Sequence, residues 1–172
     1  MTNMLGNSRR LVTAMARTVV GAAMLVGSTS PVFAQARALE GVWGIVTQDR
    51  NCATNAAQGS PTRALVTYHL GGTLDESRYI PVFAPGQLSE SHGTWSHDGG
   101  LTYTGRVVTM IHFDTAPGTP PPVFQAGWMI ATQTITLTGA DSYTMTGVTQ
   151  FFNANREIVR TGCASRVAER FK

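Results

Sequence analysis

The stretch LEGVWGIVTQDRNC, residues 39–52, decides how this chain is read. It opens on a Gly-x-Trp, Gly41 to Trp43, runs into a short alternating strand over about 41–48, and ends on Cys52. A glycine there lets two backbones approach closely where a barrel end closes, and a tryptophan can plug that end with a large apolar ring. The plainer alternative is a tryptophan that simply fills a core. Which of the two holds depends on how many strands follow and whether they close on the first.

The segment before this stretch reads as a leader rather than as fold. Residues 1–34 carry Arg9, Arg10 and Arg17 and no acid. They continue into the apolar run TVVGAAMLVG (18–27), then STSP and VFAQA. A basic start, a short apolar run and small residues at a cleavage point are the layout of a secretory signal peptide, with cleavage after Ala34 or Ala36. The apolar run is about ten residues, against the roughly twenty that cross a bilayer, so no membrane span is expected once the leader is gone. No cysteine sits at the junction to carry a lipid anchor. Residues 35–172 are then one domain, placed in the periplasm or secreted.

Charge and cysteines fit that compartment. The chain of 172 residues holds 13 basic and 10 acidic side chains. The surplus lies in the leader, which leaves the rest close to neutral with no basic stripe for phosphates. Nucleic acid is therefore not an expected partner. Cys52 and Cys163, an even count in an oxidising compartment, predict a disulfide. Closing a loop of about 110 residues removes unfolded-state entropy worth roughly 4 kcal/mol.

From residue 39 onward, Thr, Val, Tyr and Gly recur and no long helical stripe appears. Turn residues divide this part into eight expected strands, at about 41–48, 63–70, 73–79, 91–97, 101–113, 124–138, 143–153 and 158–167, with 168–172 as coil or a last turn of helix. Consecutive strands joined by hairpins predict an all-β antiparallel meander. Eight is the number at which such a sheet closes into a barrel that holds side chains or one small ligand. A two-sheet sandwich is the alternative. One tension is visible in the spacing: antiparallel pairing of the first and last strands over these ranges puts Cys163 beside Ile45 and away from Cys52.

Gly41-Val42-Trp43 on the first strand, with a basic residue on or just beyond the last, resembles the lipocalins and the wider calycin group. The resemblance implies an eight-stranded meander barrel closed at one end by an arginine packed across the tryptophan. Arg166 and Arg170 are the candidates, and Arg166, on the last expected strand, is taken with Gly41 and Trp43 as the closure. LEGVW, GGTL, HGTWSHDGG and TGCAS also resemble a group of small secreted bacterial proteins, which implies export and a β-fold.

The residues that could carry chemistry are few. His92 and His97 are five apart, which puts them on opposite faces of a regular strand, so they share no metal. His69 or His112 could act as a base only if one faced a cavity. The chain has no Gly-x-Ser-x-Gly and no His-Glu-x-x-His, and its paired glycines precede turns rather than helices. No catalytic residue and no cofactor are expected. Trp43, Tyr68, Tyr103 and Trp128 fall at alternating strand positions that a barrel could turn inward, where they would line a ligand pocket or fill the core. Arg160 lies among small residues. If buried it needs an anionic partner and could orient an anionic ligand; if not, it sits on the outer wall.

The expectation is an exported, non-enzymatic barrel that binds a small apolar or amphipathic molecule in its mouth. Loops 80–87 and 114–122 would gate it. The alternative is a protein-interaction module such as a periplasmic protease inhibitor, acting through residues 35–38 or the proline-rich loop. An isomerase or cyclase comes third and requires His69 or His112 to face inward.

Overall fold

A computed structural model describes residues 38–172. The expected leader, both cleavage points and residues 35–37 lie outside the described part. The described chain is eight antiparallel strands in a closed barrel in sequence order: β1 (Gly41–Arg50), β2 (Ala57–Tyr68), β3 (Thr73–Arg78), β4 (Ser91–Gly99), β5 (Thr102–Ile111), β6 (Gly127–Gly139), β7 (Ser142–Asn153) and β8 (Ile158–Arg170). The meander barrel is therefore the architecture, and the sandwich is not. Each strand pairs with the next, and β8 pairs back onto β1, so no edge is left to template aggregation. Gly71 and Gly72, both at positive φ, make the tight β2–β3 turn that side-chain-bearing residues disfavour.

Three boundaries differ from the sequence reading by three residues or more, each for a physical reason. Strand β2 starts six residues early, at Ala57, and passes through Pro61. The β1–β2 register slips between Thr47 and Asp49, so one residue of β1, Gln48, faces three of β2, Gly59 to Pro61. Proline is tolerated at such an irregularity because no ladder donor is needed there. Gln48 caps the displaced carbonyls of Gln58 and Gly59 through its Nε2 at 2.8 and 3.3 Å. Strand β6 starts at Gly127, because 112–126 is occupied by a loop over the barrel mouth.

The third difference resolves the cysteine tension. The tail is neither coil nor helix: β8 runs on to Arg170, with Arg166 and Ala168 turned inward and Val167 outward. That extension sets the register Trp43↔Arg170 through Arg50↔Cys163, not Ile45↔Cys163. Cys52 lies two residues past Arg50, and the Cys52–Cys163 bridge forms with its Cα atoms 5.2 Å apart. The staple joins the β1–β2 loop to β8 at the mouth end of the barrel.

The interior is layered along the barrel axis. At the closed end Leu39, Trp43, Tyr68, Leu74, Tyr103, Leu137 and Tyr143 form an apolar and aromatic plug. At the other end Phe83, Ile111, Phe124 and Met129 form a second cluster, with Ile80, Leu88 and Phe151 packed on it. Between them the inward positions of β3, β5, β6 and β8 bring in Glu76, Thr109, Gln133 and Arg166, all buried. Among the described residues no helix is long and apolar enough to cross a membrane.

The bridge ties loop to strand at a separation of 111 residues, so its loss should act mainly on the unfolded chain. Replacing Cys52 and Cys163 with Ala should lower unfolding free energy by about 2–5 kcal/mol in urea titration while the far-ultraviolet spectrum stays β-rich. A change under about 0.5 kcal/mol, within the range of an ordinary surface substitution, would show that the bridge adds nothing.

Candidate functional site at the barrel mouth

The two ends of the barrel are built differently. At the closed end, Trp43 is fully buried and donates from Nε1 to the Leu39 carbonyl at 2.9 Å. Its ring tilts against Tyr143 with centroids 4.8 Å apart. The guanidinium of Arg170 lies over the Trp43 ring at 4.2 Å and donates to the backbone carbonyls of Glu40 and Ala38, the latter at 2.6 Å. Gly41 is required here: it sits at φ 121°, and a Cβ would meet Arg170 Nη1 at 2.7 Å. The closing arginine is therefore Arg170. Arg166 does not touch Trp43, because β8 runs one turn of the pleat further than expected and carries Arg166 into the barrel's middle.

The second Gly-x-Trp, Gly93 to Trp95, belongs to the same end. Trp95 donates to the carbonyls of Thr73 and His69 at 3.0 and 3.2 Å and packs edge-on against Tyr68. Tyr68 and Tyr143 share a hydroxyl–hydroxyl contact of 3.3 Å inside the plug. Burial pushes the Tyr68 hydroxyl up to about 12, against the Tyr143 hydrogen bond, and pushes Tyr143 much higher still. Both stay neutral. Trp43, Tyr68 and Tyr103 thus lie inward and pack into the closed end, and none of them lines the mouth cavity.

The barrel's middle holds the strongest electrostatics. Arg166 Nη1 donates to Glu76 Oε2 at 3.0 Å, and both side chains are buried. Burial alone would raise Glu76, but the charges of Arg166 and Arg78 and the Arg166 hydrogen bond outweigh it and hold the carboxyl below its usual value. Burial alone would lower Arg166, and Glu76 outweighs that too. This pair is closed and ionised.

Arg78 is served less well. It lies 3.7 Å from Glu76 Oε1, too far for a hydrogen bond, and that oxygen has no hydrogen-bond partner. Its Nη2 meets only neutral atoms, Thr109 Oγ1 at 3.3 Å and Met129 Sδ at 3.5 Å. Its Nε is buried and unpartnered. Burial pulls the Arg78 guanidinium below the usual arginine range, and Glu76 opposes this only in part. The nearby Ser91–Thr109 hydroxyl contact at 2.7 Å fixes the Thr109 acceptor in place.

Above Arg78 is a cavity of about 180 Å³ in the mouth. Ile80, Phe83, Phe124, Met129 and Phe151 supply its apolar wall, Gly162 and Ala164 leave the room, and Asp49, Arg50, Arg78 and Arg160 are its charged lining. Phe83 stacks on Phe124 at 4.0 Å, which joins the loop after β3 to the loop before β6. Gln87, buried between these loops, accepts from the Ala84 amide at 3.0 Å and donates to the Phe113 carbonyl at 2.9 Å. The two loops are locked to each other as one cover. Arg160 reaches over the Phe124 and Phe151 rings at 5.2 and 5.7 Å. Among the described residues it has no carboxylate within ion-pair distance.

The remaining sequence candidates lie elsewhere. Trp128 is on the outer wall, 39 % exposed, because inward positions on β6 are the odd ones, Met129 to Leu137. His69 and His112 are exposed, so neither meets the condition set for a base in a cavity. His69 and His92 flank Asp75 on the outside, at 2.8 and 2.6 Å, and their hydrogen bonds, His92's first, hold that carboxyl below its usual value. His97 bonds the Gly100 carbonyl at its hairpin. Among the described residues no three His, Cys, Asp or Glu side chains gather as a metal site. A larger depression of about 960 Å³ is an open trough on the outer wall beside Val46, Leu65, Val167 and Phe171, all exposed.

Sequence reasoning missed Glu76, Arg78 and the Phe83–Phe124 pair. Alternation within TLDESR (73–78) put Leu74, Glu76 and Arg78 on one face. That signal is present, but alternation alone does not say which face of the strand turns inward. Comparison with known proteins finds no matching protein family, no matching curated protein and no matching solved structure.

Glu76 has a folded-state value below its unfolded one, so the pair stabilises the fold above about pH 4.5, the ordinary glutamate value. That stability is lost as pH falls through the lower folded value. Glu76→Gln leaves Arg166 charged without its anion and should destabilise by about 3–5 kcal/mol at pH 7. Against wild type, the loss should shrink as the pH is lowered below 4. Urea melts at pH 7, 5 and 3 check this; a pH-independent difference would contradict the ionised pair.

Proposed function

We propose that this protein is an exported barrel that binds a small apolar or amphipathic molecule in its mouth, in the manner of lipocalins, which it resembles in its Trp43–Arg170 closure. The observation that carries the reading is the contrast between the ends. One end is plugged by Leu39, Trp43 and Tyr143, while the other keeps a cavity of about 180 Å³ under an aromatic cover. A cavity of roughly 150 Å³ lined by apolar side chains is enough to accept benzene, so the fitting occupant is a molecule of one aromatic ring or about six carbons. Burial of that body would drive binding, and the charged lining would orient it. The Cys52–Cys163 bridge fits an oxidising compartment, in keeping with the leader read from the sequence.

The Gly162 position offers a test that leaves the closed end untouched. A Cβ added there would meet only Phe151, at an ordinary 3.8 Å, so larger side chains can enter the cavity. Wild type should broaden and shift the fluorine resonance of fluorobenzene, and Gly162→Phe should abolish that effect while keeping its folded spectrum. No effect with wild type at millimolar protein would overturn the reading.

A further inference from the structure

We infer that the molecule taken by the mouth is an anion, a small carboxylate with an apolar body, and that Arg78 holds its head group. This rests on the mouth-binding reading above and adds the ligand's charge. Arg166 and Glu76 neutralise each other in a direct hydrogen-bonded pair. Arg78 is left with a share of Glu76 at 3.7 Å and two neutral acceptors.

A buried guanidinium with an unpartnered N–H is costly, and native structures almost always give such a group an anion or a carbonyl. Arg78, with 12 % of its side chain exposed, borders the mouth cavity as well as the outer trough. Asp49 also lines that cavity, but it lies beyond ion-pair distance of Arg78 and is itself exposed. With Arg50 and Arg160 also on the cavity wall, four arginines (50, 78, 160 and 166) face two carboxylates (49 and 76) in this half of the barrel. A bound anion would offset part of that positive surplus.

The shape of the site selects among anions. An inorganic anion would leave the wall of Phe83, Phe124, Met129 and Phe151 unused. A carboxylate on a ring or short chain uses both parts. Its oxygens pair with the guanidinium, and its body lies under the Phe83–Phe124 stack. Arg160, held over the Phe124 and Phe151 rings, supplies positive potential on the way in.

The test compares benzoate with benzyl alcohol, and hexanoate with hexanol, by titration calorimetry on the purified protein. Wild type should bind each carboxylate at least about tenfold more tightly than its alcohol, the effect of one charge-assisted hydrogen-bonded pair. Arg78→Met, which keeps volume and leaves the Glu76–Arg166 pair intact, should remove that preference and leave the alcohols within about threefold. Arg78→Lys should restore part of it. Equal binding of carboxylates and alcohols by wild type would overturn the anion inference and leave the mouth-binding reading standing. A preference that survives Arg78→Met would overturn the role of Arg78. Binding of none of the four would overturn both.

Discussion

The hydrogen-bonded ion pair between Arg166 and Glu76 is the contact on which the barrel's division into two ends depends. It sits where the apolar plug stops and the mouth begins, and it spans from β8 to β3 across the interior. A buried pair of this kind adds little net stability against a well-packed apolar alternative, yet losing one partner is severe. Its effect here is positional. It commits the hydrogen bond of Glu76 to Arg166, so the third charge in the layer, Arg78, keeps only a 3.7 Å ion pair with Glu76 and hydrogen-bonds to neutral atoms alone. A fully apolar middle would have joined the two clusters into one filled core.

The closed end follows a different logic. Arg170 does three things with one guanidinium: it covers the Trp43 ring, binds the carbonyls before β1, and forms an ion pair with Asp141 at 3.2 Å. The segment Ala38–Glu40 is thereby held across the barrel bottom, and Leu39 becomes fully buried. Neither Leu39 nor Trp43 keeps any exposed surface there. The mouth is instead covered by two loops joined through the Phe83–Phe124 stack and Gln87, so an opening that admits a ligand has to move them together.

Much of this architecture was legible in the sequence because its signals are local. Paired glycines marked the β2–β3 and β4–β5 hairpins, alternation marked the strands, and the cysteine count marked the bridge. Register was less legible, because the polar tail after Val167 hides a strand whose inward residues are Ala168 and Arg170. One pleat of error there moved the closing role from Arg170 to Arg166. Trp128 went astray for the same reason: a period-two pattern does not say which face is inside until one position is anchored. The mouth was the least legible part. Arg78 and Glu76 become informative only when β8 brings Arg166 opposite them, and the loops bearing Phe83 and Phe124 carry no periodic signal at all.

The barrel has a plugged end, an ionic middle and a mouth lined by more arginines than carboxylates, and the proposed anion site rests on that arrangement. A crystal structure of the protein soaked with benzoate tests that most directly. The prediction is a carboxylate oxygen within about 3 Å of an Arg78 guanidinium nitrogen, with the ring between Phe124 and Met129. A ring in the mouth with its carboxylate turned away from Arg78, or benzoate found only in the outer trough beside Val46 and Val167, would contradict it.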